Sequence, residues 1–251
     1  MKHLLPKFKI YTLIYIGLCF YFKWYKETIL LFTILLLHEY THVIMAYILK
    51  YKIEQIVIYP FGAFVNISDY GYHEIKEDLW VAMAGLCSHL FLLLLAPLFC
   101  RLFNQHMTNY YIHFNLQILL FNLLPIYPLD GGKIMLCLLS YFFDYLKSLK
   151  LTLLFSFIHL FLLILFNFDV KCIFVYLFLF IQVLDFYHHY YYMYMGLLLC
   201  RKENKKRKPI LNKKNVFYKN KENYYLKKGA IIDEKTAIKS GFFIDKATLW
   251  W

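Results

Sequence analysis

The sequence has few cysteines and no closely spaced pair of them. Its six cysteines stand singly along 251 residues, which excludes a zinc ribbon or a dithiol redox site, because both need cysteines close together in sequence. A small-residue cleavage site is also missing after the first apolar segment, where the charged stretch from Lys23 to Glu27 follows instead. We therefore expect no cleavable signal peptide, and we expect this segment to remain as a membrane anchor.

Polar residues are scarce as well. Hydrophobic residues make up 61% of the chain and aromatic residues 21%, whereas soluble domains are about 45–50% apolar. The apolar residues cluster into six segments near the ~20 residues that cross a bilayer. The sequence therefore predicts an α-helical membrane protein with a six-helix transmembrane bundle in the lipid bilayer. The predicted spans are Tyr11–Phe22, Thr28–Leu49, Leu79–Phe99, Tyr111–Pro128, Leu151–Phe166 and Cys172–Phe186.

Acidic residues are rare in the last part of the chain, which is strongly basic. Residues 201–251 hold 15 of the 28 lysines and arginines but only 5 of the 16 acids. Because positive segments stay on the cytoplasmic side, this tail and Lys2, Lys7 and Lys9 predict a multi-pass protein with both termini in the cytoplasm. The tail could bind anionic lipid, nucleic acid or an acidic partner, but we favour a topology anchor and expect no nucleic acid.

The chain accordingly divides into two predicted parts, a membrane domain over residues 1–200 and a basic cytoplasmic tail over residues 201–251. Within the first part, the stretch Lys52–Ile67 has β-branched residues on both sides of Pro60 and Gly62, which is typical of two strands and a turn. Non-helical backbone at the membrane needs protein or water around it. We therefore predict a small membrane-associated β-hairpin there.

The second predicted span contains three ionisable residues, His38, Glu39 and His42. Such residues cost at least ~2.5–3.5 kcal/mol each inside a span, so something must compensate them. Residues four apart on a helix are separated by about 400° and about 6 Å, which stacks the two imidazoles on one face. They can share one zinc ion, while Glu39, about 100° round the helix, is placed to accept a proton from the hydrolytic water.

A hydrolytic zinc site needs a third protein ligand and an open position. Asp130 is the candidate, since it follows Pro125 and Pro128 and precedes two glycines, a pattern that interrupts a helix. Interrupted backbone at membrane depth indicates a polar cavity. The constellation therefore predicts zinc held by His38, His42 and Asp130.

Other ionisable residues in apolar segments were weighed as ligands. Asp185, His188 and His189 could form a second metal site, but the surrounding tyrosines are typical of a membrane interface, where polar groups are hydrated. We favour that aromatic-belt interpretation. His89 lies in the third predicted span, and it could support a ligand from behind.

Taken in order, these motifs resemble the site-2 protease family of intramembrane zinc metalloproteases, and within it the sporulation branch. The resemblance runs from about Lys7 to Cys200. It is carried by the His38-to-His42 motif, by Pro60-Phe61-Gly62, by Ala84-Gly85 with His89, and by the run from Asn122 to Gly132. Two positions depart from the family pattern, because Leu86 stands where the family has proline and Ala63 where it has a second glycine.

The resemblance implies a metalloendopeptidase with one zinc ion per chain, held by His38, His42 and Asp130, and with Glu39 as the catalytic base. It also implies that residues near the metal shape the approach of a membrane-associated protein substrate; these are Asn122, Pro125 and Pro128. In the sporulation branch the substrate is the precursor of a sigma factor, pro-sigma-K, in the mother-cell membrane around the forespore. Inhibitory membrane partner proteins hold the protease inactive. The tail is short for the nucleotide-sensing domain of that branch, so we do not expect regulation by ATP.

Two other functions are compatible with the same ligands. The first is a catalytically silent regulatory membrane protein, although an inactive relative has no physical need for Glu39. The second is a zinc transporter, which should place further ligands along a path. The only further candidates are those around Asp185 and His189.

The orientation of the tail can be tested with reporter fusions. The basic stretch that begins at Arg201 directly follows the last predicted span, so a green fluorescent protein fused after Trp251 should fluoresce and an alkaline phosphatase fused there should be inactive. An active phosphatase would contradict a cytoplasmic tail.

Overall fold

The computed structural model describes residues 7–8, 17, 21, 23, 25–59, 62–166, 173–200, 208–212, 216–227 and 230–239. These residues form a mostly helical structure. The helices are α1 (Tyr25–Ile48), α2 (Ile75–Leu94), α3 (Ala96–Leu102), α4 (Gln105–Leu123), α5 (Asp130–Phe142), α6 (Tyr145–Phe166), α7 (Ile173–Cys200) and α8 (Glu234–Lys239). The strands are β1 (Lys7–Phe8), β2 (Ile53–Tyr59), β3 (Gly62–Ile67), β4 (Lys208–Asn212), β5 (Lys221–Lys227) and β6 (Ala230–Asp233).

Among the described residues, four helices are long and apolar enough to cross a membrane, namely α1, α2, α6 and α7. They fall on the predicted second, third, fifth and sixth spans. The predicted first span, Tyr11–Phe22, lies outside the described residues except for two positions. The fourth, Tyr111–Pro128, overlaps α4, whose several Asn, Gln and His side chains reduce its apolar character. The six-span count therefore stays a prediction.

Two helices differ from their sequence-based bounds. Helix α5 was not predicted, because its 13 residues are too few to cross a bilayer and its first turn contains two glycines. Helix α7 continues to Cys200 rather than ending near Phe186. Tyrosines and histidines beyond Phe186 lower the local hydropathy, but they are compatible with helical backbone.

The first sheet has the strand order β1-β2-β3. Strand β1 runs parallel to β2, and β2 pairs antiparallel with β3, with Tyr59 opposite Gly62 and an irregularity between Ile53 and Gln55. This pair of strands occupies the stretch Lys52–Ile67. Its position against the membrane stays a prediction.

The described part of the tail packs against the helices. Strands β4 to β6 form a second sheet in that order, and α8 follows directly. Phe217, Tyr225 and Ala237 belong to the same buried cluster as Tyr145 and Leu149 of α6. The backbone N–H of Tyr145 also donates to the carbonyl of Phe217 at 2.8 Å. The boundary at residue 200 stays a prediction, but the tail residues on its far side share a core with the bundle.

A buried ion pair fastens the tail to the first turn of α2. Lys219 and Asp78 are 5% and 1% exposed, and the Lys219 ammonium donates to the Asp78 carboxylate and to the Gly71 carbonyl at 2.7 Å. Asp78 also accepts from the Tyr51 hydroxyl at 2.7 Å and from the Gly71 N–H at 3.1 Å. Burial, together with the Asp78 carboxylate, raises the pKa of Tyr51 far above its usual range, so that its hydroxyl remains a donor.

Lys219→Met should destabilise the protein strongly, because it leaves the Asp78 charge buried without its cation. Breaking a buried pair on one side costs about 3–5 kcal/mol. The melting temperature in detergent should fall well below that of Lys221→Met, a matched control whose ammonium lies over the Tyr218 ring at 5.0 Å. Equal melting temperatures for the two variants would contradict a stabilising role for the pair.

Candidate metal centre

Helix α1 brings two histidines and a glutamate into the interior of the bundle. Its 24 residues contain no proline and no glycine, so the helix is continuous through the motif. His38, Glu39 and His42 are 2%, 7% and 4% exposed. One helical turn separates the histidines, and their Nε2 atoms lie 3.1 Å apart.

The third side chain arrives at the first residue of α5. Helix α4 ends at Leu123, and the chain turns through the segment that contains Pro125 and Pro128 before α5 begins at Asp130. Asp130 is 2% exposed. A Cβ atom on either of the next two residues, Gly131 or Gly132, would overlap the backbone between Leu123 and Tyr127. Only glycine therefore lets the start of α5 pack against this turn.

The three side chains converge on a common point. Asp130 Oδ2 lies 3.3 Å from His38 Nε2 and 3.1 Å from His42 Nε2. Neither contact has the geometry of a hydrogen bond, and within the described part of the chain Oδ2 has no hydrogen-bond partner. A tetrahedral zinc ion with bonds of about 2.0–2.1 Å holds its ligand atoms about 3.3 Å apart. The distances and the donor set, two imidazoles and a carboxylate, therefore fit zinc.

Neighbouring groups orient this cluster. His42 Nδ1 donates to the Val81 carbonyl of α2 at 2.7 Å, which leaves the Nε2 lone pair of His42 free to face the cluster. Lys133 Nζ lies 3.4 Å from Asp130 Oδ1, so the two carboxylate oxygens face different groups. Gly85 of α2 lies against both imidazoles, and a Cβ atom there would overlap His38 and His42.

Lys133 was missed by the sequence analysis. It lies three residues after Asp130, a spacing that brings side chains together on a helix. That signal was hidden because α5 itself was not predicted. The side chain stacks on the Tyr70 ring, with Nζ 5.7 Å from the ring centroid.

The remaining residues predicted as substrate contacts or weighed as a second metal site lie outside the cluster, either in the segment before Asp130 or on α7. The residues Asn122, Pro125 and Pro128 are half-buried in the segment that leads to Asp130, and Asn122 Nδ2 donates to the Ile118 carbonyl at 3.1 Å. Asp185 and His189 contact each other at 3.2 Å and are 65% and 59% exposed. Among the residues that the structure describes, the only group of three or more potential metal ligands is His38, His42 and Asp130.

Comparisons with known proteins identify relatives of this chain. A family model described as Peptidase family M50 matches residues 27–105 and 100–166, which together are more than half of the chain. Stage IV sporulation protein FB of Bacillus subtilis is 34% identical over 130 residues, covering 51% of this chain and 45% of that protein. A zinc metalloprotease of Methanocaldococcus jannaschii is 31% identical over 134 residues, covering 51% of this chain and 38% of that protein.

A solved structure is similar as well. The site-2 protease from Methanocaldococcus jannaschii superposes with a TM-score of 0.57 and 25% identity, over 74% of this chain and 91% of that one. The two sequence matches span less than half the length of the relatives concerned. The resemblance to the site-2 protease family is confirmed.

Gly85→Ala should disturb the cluster, because the added methyl group overlaps both imidazoles. We expect zinc bound to the purified protein to weaken by at least about tenfold, the lower end of what changes beside metal ligands produce. Gly17→Ala is the matched control, since a Cβ atom at Gly17 meets no atom of the described residues within 4 Å. Unchanged zinc binding by Gly85→Ala would show that α2 does not constrain the two histidines.

Proposed function

The chain belongs to peptidase family M50, and on that premise we propose that it is an intramembrane zinc metalloprotease that hydrolyses a peptide bond of a membrane-associated protein. The observation that carries the proposal is the convergence of two imidazole nitrogens and a carboxylate oxygen at 3.1–3.3 Å inside the bundle. Glutamate follows the first histidine directly. A purely structural cluster would not require that residue.

In this proposal His38, His42 and Asp130 hold one zinc ion. A zinc ion with three protein ligands lowers the pKa of water toward ~7 and polarises a carbonyl group. The three residues fix the metal between α1 and α5, and the Val81 carbonyl and Lys133 keep His42 and Asp130 in the required orientation. Their burial excludes bulk water, which strengthens the electrostatic interactions within the site.

Glu39 moves the proton. Because it follows His38 on α1, its side chain points about 100° away from the two imidazoles, beside the cluster and outside the ligand set. The carboxylate accepts a proton from the attacking water, whose oxygen forms a new C–O bond with the scissile carbonyl carbon. It then donates this proton to the nitrogen of the leaving amine, so that the scissile C–N bond breaks to give a carboxylic acid and a free amine.

The substrate approaches along the segment before α5. Asn122, Pro125 and Pro128 are half-buried there and lie within eight residues of Asp130, so they line the way to the cluster. Two prolines leave backbone carbonyls outside a regular helix, where an extended substrate chain can contact them.

The substrate class follows from the sporulation relative. By analogy with stage IV sporulation protein FB, we propose that the chain removes the pro-sequence of pro-sigma-K in the mother-cell membrane around the forespore. Inhibitory membrane proteins would keep it inactive, and both termini would lie in the cytoplasm.

Neither rival function gains support from the structure. A zinc transporter should place further ligand groups along a path, and the described part of the chain contains one such group. A silent regulatory protein would not need a buried glutamate next to that group.

Glu39→Gln and Asp130→Ala should fail in different ways. Glutamine keeps the shape of the side chain but cannot accept a proton, so the purified variant should retain near-stoichiometric zinc while peptide hydrolysis falls by about 10²–10⁴-fold. Alanine at 130 removes a ligand, so zinc content and activity should both fall. Metal analysis in detergent, with a cleavage assay on co-expressed pro-sigma-K, measures both.

Glu54→Gln is a matched control for the first variant, since Glu54 lies on the exposed face of β2. Hydrolysis by Glu39→Gln near the wild-type rate would show that another group is the base. Full zinc content in Asp130→Ala would place the third ligand elsewhere. If the wild-type protein left pro-sigma-K unprocessed but cleaved another membrane protein, only the choice of substrate would be overturned.

A further inference from the structure

Two buried nitrogen atoms beside the His38, His42 and Asp130 cluster have no hydrogen-bond partner among the residues that the structure describes. They are His38 Nδ1 and His89 Nε2, and they belong to rings whose centroids are 4.8 Å apart with planes inclined by 33°. His89 is completely buried in α2. Leaving a buried polar atom unsatisfied costs about 1–3 kcal/mol, so two such atoms on adjacent rings call for an explanation.

Asn115 of α4 determines which nitrogen of His89 carries the proton. The Asn115 amide donates from Nδ2 to the His89 backbone carbonyl at 3.1 Å, which turns its Oδ1 towards the ring. His89 Nδ1 lies 2.5 Å from that oxygen. Because Oδ1 can only accept, Nδ1 must donate. His89 Nε2 is therefore a lone-pair acceptor in the neutral ring.

His38 has the complementary requirement. If Nε2 binds the metal, as the proposed function requires, the proton of the neutral imidazole is on Nδ1. Metal-binding histidines almost always donate this proton to a fixed acceptor. For His42 that acceptor is the Val81 carbonyl, whereas His38 Nδ1 has none among the described residues.

We propose that His89, held by Asn115, is a positioning residue that supplies the hydrogen-bond acceptor for His38 Nδ1 when His38 binds zinc. The inference rests on the proposed function and deepens it. It assigns to one helix, α2, the support of both histidines, through a backbone carbonyl for His42 and through the His89 side chain for His38. A residue with this role stabilises bound zinc without itself being a ligand.

The alternative role for His89 is ring packing against His38. Two substitutions separate these roles in the full-length protein. His89→Phe keeps an aromatic ring but has no nitrogen. His89→Gln loses the ring but can present an amide oxygen at about the position of Nε2. His159→Phe in α6 is the matched control, because His159 Nδ1 contacts the Phe155 carbonyl of its own helix.

Zinc affinity, measured by chelator competition on the detergent-purified protein, is the readout. We expect His89→Phe to bind zinc about 10–100-fold more weakly, the usual cost of losing an outer hydrogen-bond partner. His89→Gln should retain most of the affinity, and His159→Phe should bind as the wild type does. Size-exclusion profiles and melting temperatures establish that each variant is folded.

Several outcomes would overturn the inference. Wild-type affinity in His89→Phe would show that ring packing suffices, and equal losses in the two His89 variants would show that the acceptor is not what matters. If His89→Phe does not fold, Asn115→Leu is the deciding variant. It keeps the His89 ring but removes the amide oxygen that holds the proton on His89 Nδ1, so unchanged zinc affinity in Asn115→Leu would contradict the inference. A wild-type protein without zinc would instead overturn the metal centre itself.

Discussion

Burial of three polar side chains within an apolar bundle is the constraint on which the rest of the structure depends. His38, His42 and Asp130 are each at most 4% exposed, and ionisable groups at membrane depth are unfavourable by at least ~2.5–3.5 kcal/mol each. The two histidine Nε2 atoms face Asp130 Oδ2, but among the described residues this oxygen accepts no hydrogen bond. A cation at the shared point would take up these lone pairs and offset the cost, which would couple metal binding to the stability of this region.

Close approach of backbone makes this convergence possible. Helix α5 reaches α1 because Gly131 and Gly132 allow its first turn to lie against the end of α4. Gly85 allows α2 to contact both imidazoles in the same way. Side chains at these positions would hold the helices apart by more than the few tenths of an ångström that a metal site tolerates.

Local spacing explains which parts of the site can be read from the sequence. The four-residue interval between His38 and His42 places both rings on one helical face, and the prolines before Asp130 indicate an interrupted helix. The structure brings these three residues together. By contrast, Lys133 became recognisable only with α5 in place, since a three-residue interval has meaning only on a helix.

Contacts between distant segments could not be read in this way. The Asn115 bond to His89 joins residues 26 positions apart, and the pair of Lys219 with Asp78 spans 141 positions. Nothing in the composition of a basic tail distinguishes a lysine that becomes buried, such as Lys219, from those that stay hydrated. The sequence therefore could not single out Lys219, which fastens the tail to α2 in the fold.

Helix α2 links these features physically. Asp78 in its first turn holds the tail, the Val81 carbonyl contacts His42, Gly85 lies against both histidines of the cluster, and the His89 ring lies beside that of His38. The eleven residue-to-residue steps from Asp78 to His89 are about three turns, or about 16 Å, of one continuous helix. The tail contact and the geometry of the metal cluster thus depend on the placement of the same helix.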